Sequence, residues 1–356
     1  NWIQCTICES WFHNSCLQLS LSDSKKISSF HCPNCTKLKG PSILRRVSSR
    51  PRHTIDYVAL NDGDLESVIL DRHPHVADFL QWENPKQEIN EIKGVELQGK
   101  LTRPTKINSR DTKGLGMVIP DGITVDDVVE SLGIDHPIEI MDVLTQNGIK
   151  GSWSLGSWRD YFKSNKTERE RILNVLSLEI SKSELGQSIK RPKYVEDVDL
   201  VDKVWPQELG MEKPMVQKYC LMGVEKSFTD FHLDFAGTSV YYTVLSGFKT
   251  FIFFPPTELN LKKYKTWIRS QTKQFLGNLG LEHGLKISLT KGDVLIIPSG
   301  WIHAVYTPVD TLVIGGNFLT SFNLKEQFKI IDIEIETKVD KKFKFPQFGK
   351  LMWFTS

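Results

Sequence analysis

The stretch Thr229-Asp230-Phe231-His232-Leu233-Asp234-Phe235, taken with the distant Pro298-Ser299-Gly300-Trp301-Ile302-His303, is where the reading of this chain begins. Alternate side chains of an extended strand point to one face, so His232 and Asp234 project together while Leu233 points away. A third ligand then has to arrive from another strand, and Trp301 to Thr307 reads as a short apolar strand entered through a Pro-Ser-Gly turn. Two histidines and one carboxylate, His232, Asp234 and His303, form the facial ligand set that holds non-haem Fe(II) with positions left open. A His-x-Asp triplet also arises by chance. Its surroundings raise it above chance, because Tyr241 to Leu245 and Lys249 to Phe254 are rich in β-branched and aromatic residues and Gly247 breaks them as a hairpin turn would.

On either side of this pair of stretches, Ile172 to Ile180, Met215 to Met222, Phe228 to Leu233, Val240 to Leu245, Lys249 to Phe254, Leu285 to Leu289, Val294 to Ile297, Ile302 to Tyr306 and Thr311 to Ile314 read as strands. Short strands divided by turn residues predict a mainly β domain, a jelly roll of the double-stranded β-helix type. Helices are expected around it at Thr124 to Leu132, with Thr124 as cap and Asp126 and Asp127 in the first turn, and at Ser157 to Lys163. A partly helical insertion over 256–281 and an amphipathic helix from Asn323 to Thr337 complete the pattern. The expected organisation is a zinc-binding finger over 1–37, a basic linker over 38–53, an α/β lead-in over 54–170, the β core over 171–322 and a helical segment over 323–356.

Composition sets the frame. The chain has 356 residues, 40% of them hydrophobic and 25% charged, with a net charge of +2, which is ordinary for a globular protein of one large domain plus something small. No apolar run approaches membrane length and the first residues carry no signal-peptide pattern. Five of the six cysteines, Cys5, Cys8, Cys16, Cys32 and Cys35, crowd the first tenth of the chain with His13 among them. Their short chelating pairs point to structural zinc rather than disulfides, and so to a reducing compartment. Cys220 lies in an apolar run and reads as a buried thiol. Between Gly114 and Ile149 there are seven acids and no Lys or Arg, which suits either a solvated face or a cationic partner.

The order Cys5, Cys8, His13, Cys16, Cys32, Cys35, with Trp11-Phe12 just before the histidine, resembles the last six ligands of a PHD finger. The resemblance implies that Cys5, Cys8, Cys32 and Cys35 form one zinc site, and that His13 and Cys16 are half of a second whose other pair lies upstream of Asn1, making two zinc ions. It also places Trp2 and Trp11 where methyllysine-reading fingers build an aromatic cage, which binds a quaternary ammonium by cation–π attraction. The other reading is that both tryptophans pack the core of a very small domain. From Lys37 to Arg52 the chain carries Lys37, Lys39, Arg45, Arg46, Arg50 and Arg52 and no acid, a basic tether or a contact for DNA phosphates.

Residues 170–325 resemble the Jumonji-C (JmjC) class of Fe(II)- and 2-oxoglutarate-dependent oxygenases, and the combination with a finger is similar to PHD-JmjC lysine demethylases. The stretches Val216 to Met222, Thr229 to Asp234, Gly300 to Val305 and Gly315-Gly316-Asn317-Phe318 carry the likeness. It implies that His232, Asp234 and His303 bind Fe(II), that Thr229, Tyr242 and Lys249 hold the distal carboxylate of 2-oxoglutarate, and that Asn174 lies near its other end. Tyr219 and Asn317 are implied as polar walls around a methylammonium, although a Gly-Gly-Asn turn explains Asn317 equally well. The implied activity is removal of methyl groups from di- and monomethylated lysine 9 and lysine 27 of histone H3, with the finger reading trimethylated lysine 4, in the nucleus on nucleosomes. A JmjC protein hydroxylase and a non-catalytic reader of histone marks are the alternatives.

Overall fold

A computed structural model describes residues 2–17, 19, 27–44, 73–83, 88–149, 151–206, 210–270 and 274–356. The chain forms two compact units, Asn1–Tyr57 and Val58–Ser356.

In the first unit Trp2–Gln4 pairs antiparallel with Trp11–His13, and Ile27–Ser29 with Ile43–Leu44. Helix Pro33–Lys39 starts with proline at its first position, where the missing N–H costs nothing, and ends at Gly40 with φ 85°. The finger therefore runs past position 37 into the stretch read as linker. The linker's Arg45, Arg46, Arg50 and Arg52 lie outside the described residues. Ile3 and Phe12, directly opposed across the first pair, pack with Phe30 and the cysteines into a small core.

The second unit is built on nine strands: β1 (Leu173–Glu179), β2 (Tyr219–Gly223), β3 (Ser227–His232), β4 (Ser239–Ser246), β5 (Phe248–Phe254), β6 (Leu285–Thr290), β7 (Val294–Ile297), β8 (Ile302–Thr307) and β9 (Thr311–Phe318). One sheet has the order β7-β4-β9-β2-β1 and is extended at both ends by short strands; the other has the order β3-β8-β5-β6. Facing each other, they make the jelly roll. Period-two alternation sorts the side chains. On β5, Phe251 and Phe253 join Tyr242, Leu295 and Trp301 between the sheets, whereas Ile252 and Phe254 pack outside with Phe79, Leu261 and Ile330. Lys249 has the parity of Phe251 and Phe253, and so is carried inward.

Helices cover the outer faces. α1 (Val125–Leu132) is capped by Thr124, whose hydroxyl accepts from Asp127 N, while the Asp127 carboxylate accepts from Thr124 N. α2 (Leu155–Lys163) buries Trp158 against the larger sheet. α3 (Glu258–Arg269) fills the expected insertion, and α4 (Leu324–Glu336) packs on the turn that follows Asp234. Of the acids between Gly114 and Ile149, Asp127 is used in capping, Asp126 pairs with Lys163 and Asp142 with Arg171, so part of that charge is neutralised within the fold. Cys220 is fully buried.

The expected Gly315-Gly316-Asn317 turn is instead part of the C-terminal half of β9, opposite Tyr219 of β2 and Tyr241 and Tyr242 of β4. Glycine is needed there for closeness rather than for turning, since a Cβ on Gly316 would lie 2.0 Å from the Gln217 carbonyl oxygen. Gly316→Ala should therefore cost about 1–3 kcal/mol through overpacking. Gly349→Ala, in helix Phe348–Thr355 with nothing within 4 Å of its added Cβ, should be neutral or gain up to about 1 kcal/mol. Urea unfolding midpoints check the contrast, and equal midpoints would show that the strand relaxes around the methyl group.

Candidate metal and cosubstrate site

His232 ends β3, Asp234 follows it at the start of the turn Phe235–Gly237, and His303 is the second residue of β8. Their ligand atoms lie within 4.8 Å of one another. His303 Nε2 is 3.9 Å from Asp234 Oδ2, and the two imidazoles stand 4.2 Å apart. Each imidazole donates its Nδ1–H to a backbone carbonyl, His232 to Asp230 O at 2.8 Å and His303 to Trp301 O at 3.0 Å. That contact sets the tautomer and leaves the Nε2 lone pair for a metal. Burial holds both histidines in the neutral, ligating form, with pKa values pushed down to about 4, while burial pushes Asp234 up to about 6 against the opposing pull of His232 and Asn317. Three ligands on one side, with the rest of the coordination sphere open, suit Fe(II).

The turn carrying Asp234 is held from several directions. Glu334 of α4 accepts from Ala236 N at 2.6 Å, and Ser299 donates to Gly237 O. Asn317 donates to Thr238 Oγ1 at 2.8 Å and also bonds the Asp234 side chain. The structure thus sets Asn317 beside the Asp234 carboxylate. Tyr219, at the start of β2, is half-buried and bonds Met215 O at 3.3 Å.

A second polar cluster lies deeper between the sheets. Lys249, 2% exposed, donates to Thr307 Oγ1 at 2.6 Å, and Asn174 Nδ2 lies 3.5 Å from Thr229 Oγ1. Around Gly223 these groups converge. A Cβ there would sit 2.9 Å from Lys249 Nζ, 3.2 Å from Asn174 Oδ1 and 3.3 Å from Thr307 Oγ1, so the absent side chain leaves a polar cradle. Asn174 Oδ1 is buried with no hydrogen-bond partner. A buried ammonium with one hydroxyl partner and an amide with spare capacity are what a small dicarboxylate needs. The residues present therefore fit 2-oxoglutarate. Tyr242 is buried on the same inner face, edge-on to Phe251 at 5.3 Å. Thr307 was not among the residues singled out from the sequence. Its parity with His303 and Val305 on β8 is the signal that could have found it.

In the finger, the sulfurs of Cys5, Cys8, Cys32 and Cys35 cluster, with Cys8 and Cys32 3.8 Å apart. That is about the edge of a tetrahedron with Zn–S bonds near 2.3 Å. His13 ends the strand Trp11–His13, and Cys16 lies in the following turn Asn14–Leu17, apart from that quartet. Trp2 and Trp11 are 65% and 61% exposed. The register Trp2 opposite His13 and Gln4 opposite Trp11 puts both rings on the face away from Ile3 and Phe12, so they are not core.

Burial pushes the Lys249 ammonium down to about 7. As pH rises through 7 the side chain gives up its proton, and a dicarboxylate has to recruit it back to form the ion pair. Affinity for 2-oxoglutarate should be greatest below that pH and weaken by up to about tenfold per unit above it. Lys249→Arg, whose guanidinium does not titrate, should bind with no such slope. Calorimetric titration across roughly pH 6 to 9 reads this, and a flat wild-type profile would show that Lys249 remains charged throughout.

Comparison with known proteins agrees with this geometry. A cupin-like domain model matches residues 146–324, and a UBR7-like PHD finger model matches residues 1–41. The chain is 47% identical to a JmjC domain-containing histone demethylation protein 1 of Debaryomyces hansenii, over all of this chain and 74% of the relative. It is 45% identical to the Candida albicans protein of that name, over all of this chain and 78% of the relative, and 37% identical to the Saccharomyces cerevisiae one, over 99% of this chain and 82% of the relative. The chain belongs to the family of JmjC domain-containing histone demethylation proteins, with a PHD-type finger ahead of a cupin-like JmjC domain.

Proposed function

We propose that this chain is an Fe(II)- and 2-oxoglutarate-dependent lysine demethylase acting on a histone tail. The observation that carries the reading is the conjunction of the His232, Asp234, His303 cluster with the Lys249, Thr307, Asn174 cradle inside one barrel. Fe(II) with 2-oxoglutarate and O2 supplies the two-electron oxidation that hydroxylates an N-methyl group, and the hydroxymethyl amine then loses formaldehyde. The chain's own residues do the placing. His232, Asp234 and His303 would hold the ion, Lys249, Thr307, Thr229 and Asn174 would seat the dicarboxylate, and Phe251 and Phe253, stacked 5.4 Å apart beside His303, keep that wall apolar. Asn317 steadies the Asp234 carboxylate and, with Tyr219, borders the methylammonium.

The relatives' names specify histone demethylation and do not say which lysine. The likeness to PHD-JmjC enzymes favours di- and monomethylated lysine 9 and lysine 27 of histone H3. Mass spectrometry over a panel of methylated peptides spanning the whole tail, with Fe(II), ascorbate and 2-oxoglutarate, tests both levels. Stepwise loss of methyl groups with formaldehyde release supports a demethylase, whereas a stable hydroxylated product would make the chain a protein hydroxylase. Turnover confined to other tail lysines would overturn the lysine assignment alone. Asp234→Ala should abolish turnover, since it removes an anchor and the facial geometry together; near-normal activity in folded, iron-loaded Asp234→Ala would sink the metal assignment.

For the finger, the exposed pair Trp2 and Trp11 supports capture of trimethylated lysine 4 of the same tail in the nucleus, raising the effective concentration of nearby lysines at the JmjC pocket. Trp11→Ala should erase any effect of lysine 4 methylation on rate while leaving activity on unmarked peptides intact. An unchanged response in that variant would remove the cage reading.

A further inference from the structure

The strand that carries the first iron ligand breaks its own periodicity. Thr229 and His232 are three residues apart, so on a regular strand they would face opposite sides. Yet Thr229 lies against Asn174 in the cradle and His232 against His303. The outer face shows the same offset, because Phe228 and Phe231 both pack in the outer cluster. The pairing explains it: Thr229 stands opposite Val305 and His232 opposite His303, so three steps along β3 match two along β8. Asp230 and Phe231 thus contain a β-bulge, which flips the face between the cosubstrate residue and the metal ligand.

A bulge strips backbone groups of their ladder partners, and buried ones need replacements. Here Asp230 N donates to Gln146 Oε1 at 2.9 Å, and Phe231 N to the Asp230 side chain at 2.9 Å. The Asp230 carbonyl accepts the His232 Nδ1–H that orients the ligand. Gln146 also donates through Nε2 to Val143 O at 2.7 Å and to Phe228 O at 2.9 Å, so one carboxamide spans the bulge on both sides. The other carboxylate oxygen of Asp230 is 2.8 Å from His75 Nδ1, and His75 N donates to His73 Nδ1 at 3.2 Å. Gln146 lies between the short strands Met141–Asp142 and Asn147–Gly148 and has a φ of 54°, a left-handed conformation that glutamine rarely adopts. Nothing in a tight turn calls for glutamine there. Its backbone tolerates a strained angle in a position where its amide reaches β3.

We propose that Gln146, supported by His75 through Asp230, is a positioning residue for the metal centre: it clamps the bulge, and the bulge aims His232 at the metal and Thr229 at the dicarboxylate. Neither Gln146 nor His75 touches the reacting atoms. The proposal rests on the iron and 2-oxoglutarate reading and extends it to two segments outside the β core.

Gln146→Gly separates positioning from folding, since glycine accepts positive φ without strain while the amide is lost. The zinc-loaded full chain is titrated anaerobically with Fe(II) in the presence of 2-oxoglutarate, followed by metal-to-ligand charge-transfer absorption, with thermal unfolding in parallel. In Gln146→Gly the unfolding temperature should stay near wild type while the apparent Fe(II) affinity falls about 10-fold to 100-fold, the range seen when groups behind a metal ligand are removed. The 2-oxoglutarate affinity should fall with it, because Thr229 shares the bulge. His75→Ala should weaken Fe(II) binding in the same sense, and His75→Gln, which can still donate to Asp230, should restore part of it. Wild-type Fe(II) affinity in Gln146→Gly, or a loss in both His75 variants that merely tracks their loss of thermal stability, overturns the clamp. A wild-type chain with no charge-transfer band overturns the iron reading, and the clamp falls with it; wild type and variant binding iron equally would overturn the clamp alone.

Discussion

A lysine ammonium enclosed between two β-sheets is the constraint on which the catalytic unit depends. Taking that charge out of water costs several kcal/mol unless an anion meets it, and Lys249 has one direct hydroxyl partner, Thr307. The fold accepts the cost because β5 cannot turn Lys249 outward without turning Phe251 and Phe253 outward with it. A register that seals the barrel with aromatic rings therefore also presents a cation inside it. Gly223 and Asn174 extend the same logic, one by having no side chain and the other by leaving a carbonyl oxygen unused. The cradle is a deficit of hydrogen bonds that a small dicarboxylate would fill.

The cluster of His232, Asp234 and His303 is arranged differently. Its polar groups are satisfied on the protein side and open on one side only. Backbone carbonyls of Asp230 and Trp301 take the imidazole protons, and Asn317 takes part of the Asp234 carboxylate's demand. Both carbonyls belong to residues two positions before the histidines they serve, so each ligand is oriented by its own strand. The orientation is then only as secure as the local backbone. β8 is regular where it carries His303, while β3 is not regular where it carries His232, and it is there that Gln146 and His75 reach Asp230 from outside the barrel.

Much of this was legible in the residues. Short runs of β-branched and aromatic residues marked the nine core strands, and the His-x-Asp spacing with a distant His marked three side chains whose ligand atoms the structure brings within 4.8 Å of one another. Thr124 with Asp127 marked the start of α1 because capping is a local interaction with a local signature. Gly315-Gly316-Asn317 misled because glycine has two uses, turning a chain and letting another backbone come close, and only the neighbouring Gln217 carbonyl tells them apart. The finger's extent past residue 37 was hidden for a related reason: the pairing of Ile43–Leu44 with Ile27–Ser29 is a tertiary fact, while the basic composition around it reads as linker. Thr307 and Gln146 went unseen because no motif contains them, and their contacts lie far away in sequence.

One of these misses was within reach of elementary geometry. The family likeness asks Thr229, His232 and Asp234 to serve one cavity, yet Thr229 stands an odd number of residues from both ligands. A strand of strict period two cannot satisfy that demand. The contradiction has one inexpensive resolution, an extra residue between Thr229 and His232, and the only residues available for it are Asp230 and Phe231. Of these, Asp230 has a short carboxylate able to bond the following amide, as it does to Phe231 N, and to take an external donor with its second oxygen. The aspartate inside Thr-Asp-Phe-His is therefore best understood as the residue that makes the bulge possible, and the glutamine that completes its hydrogen bonding belongs to the same device.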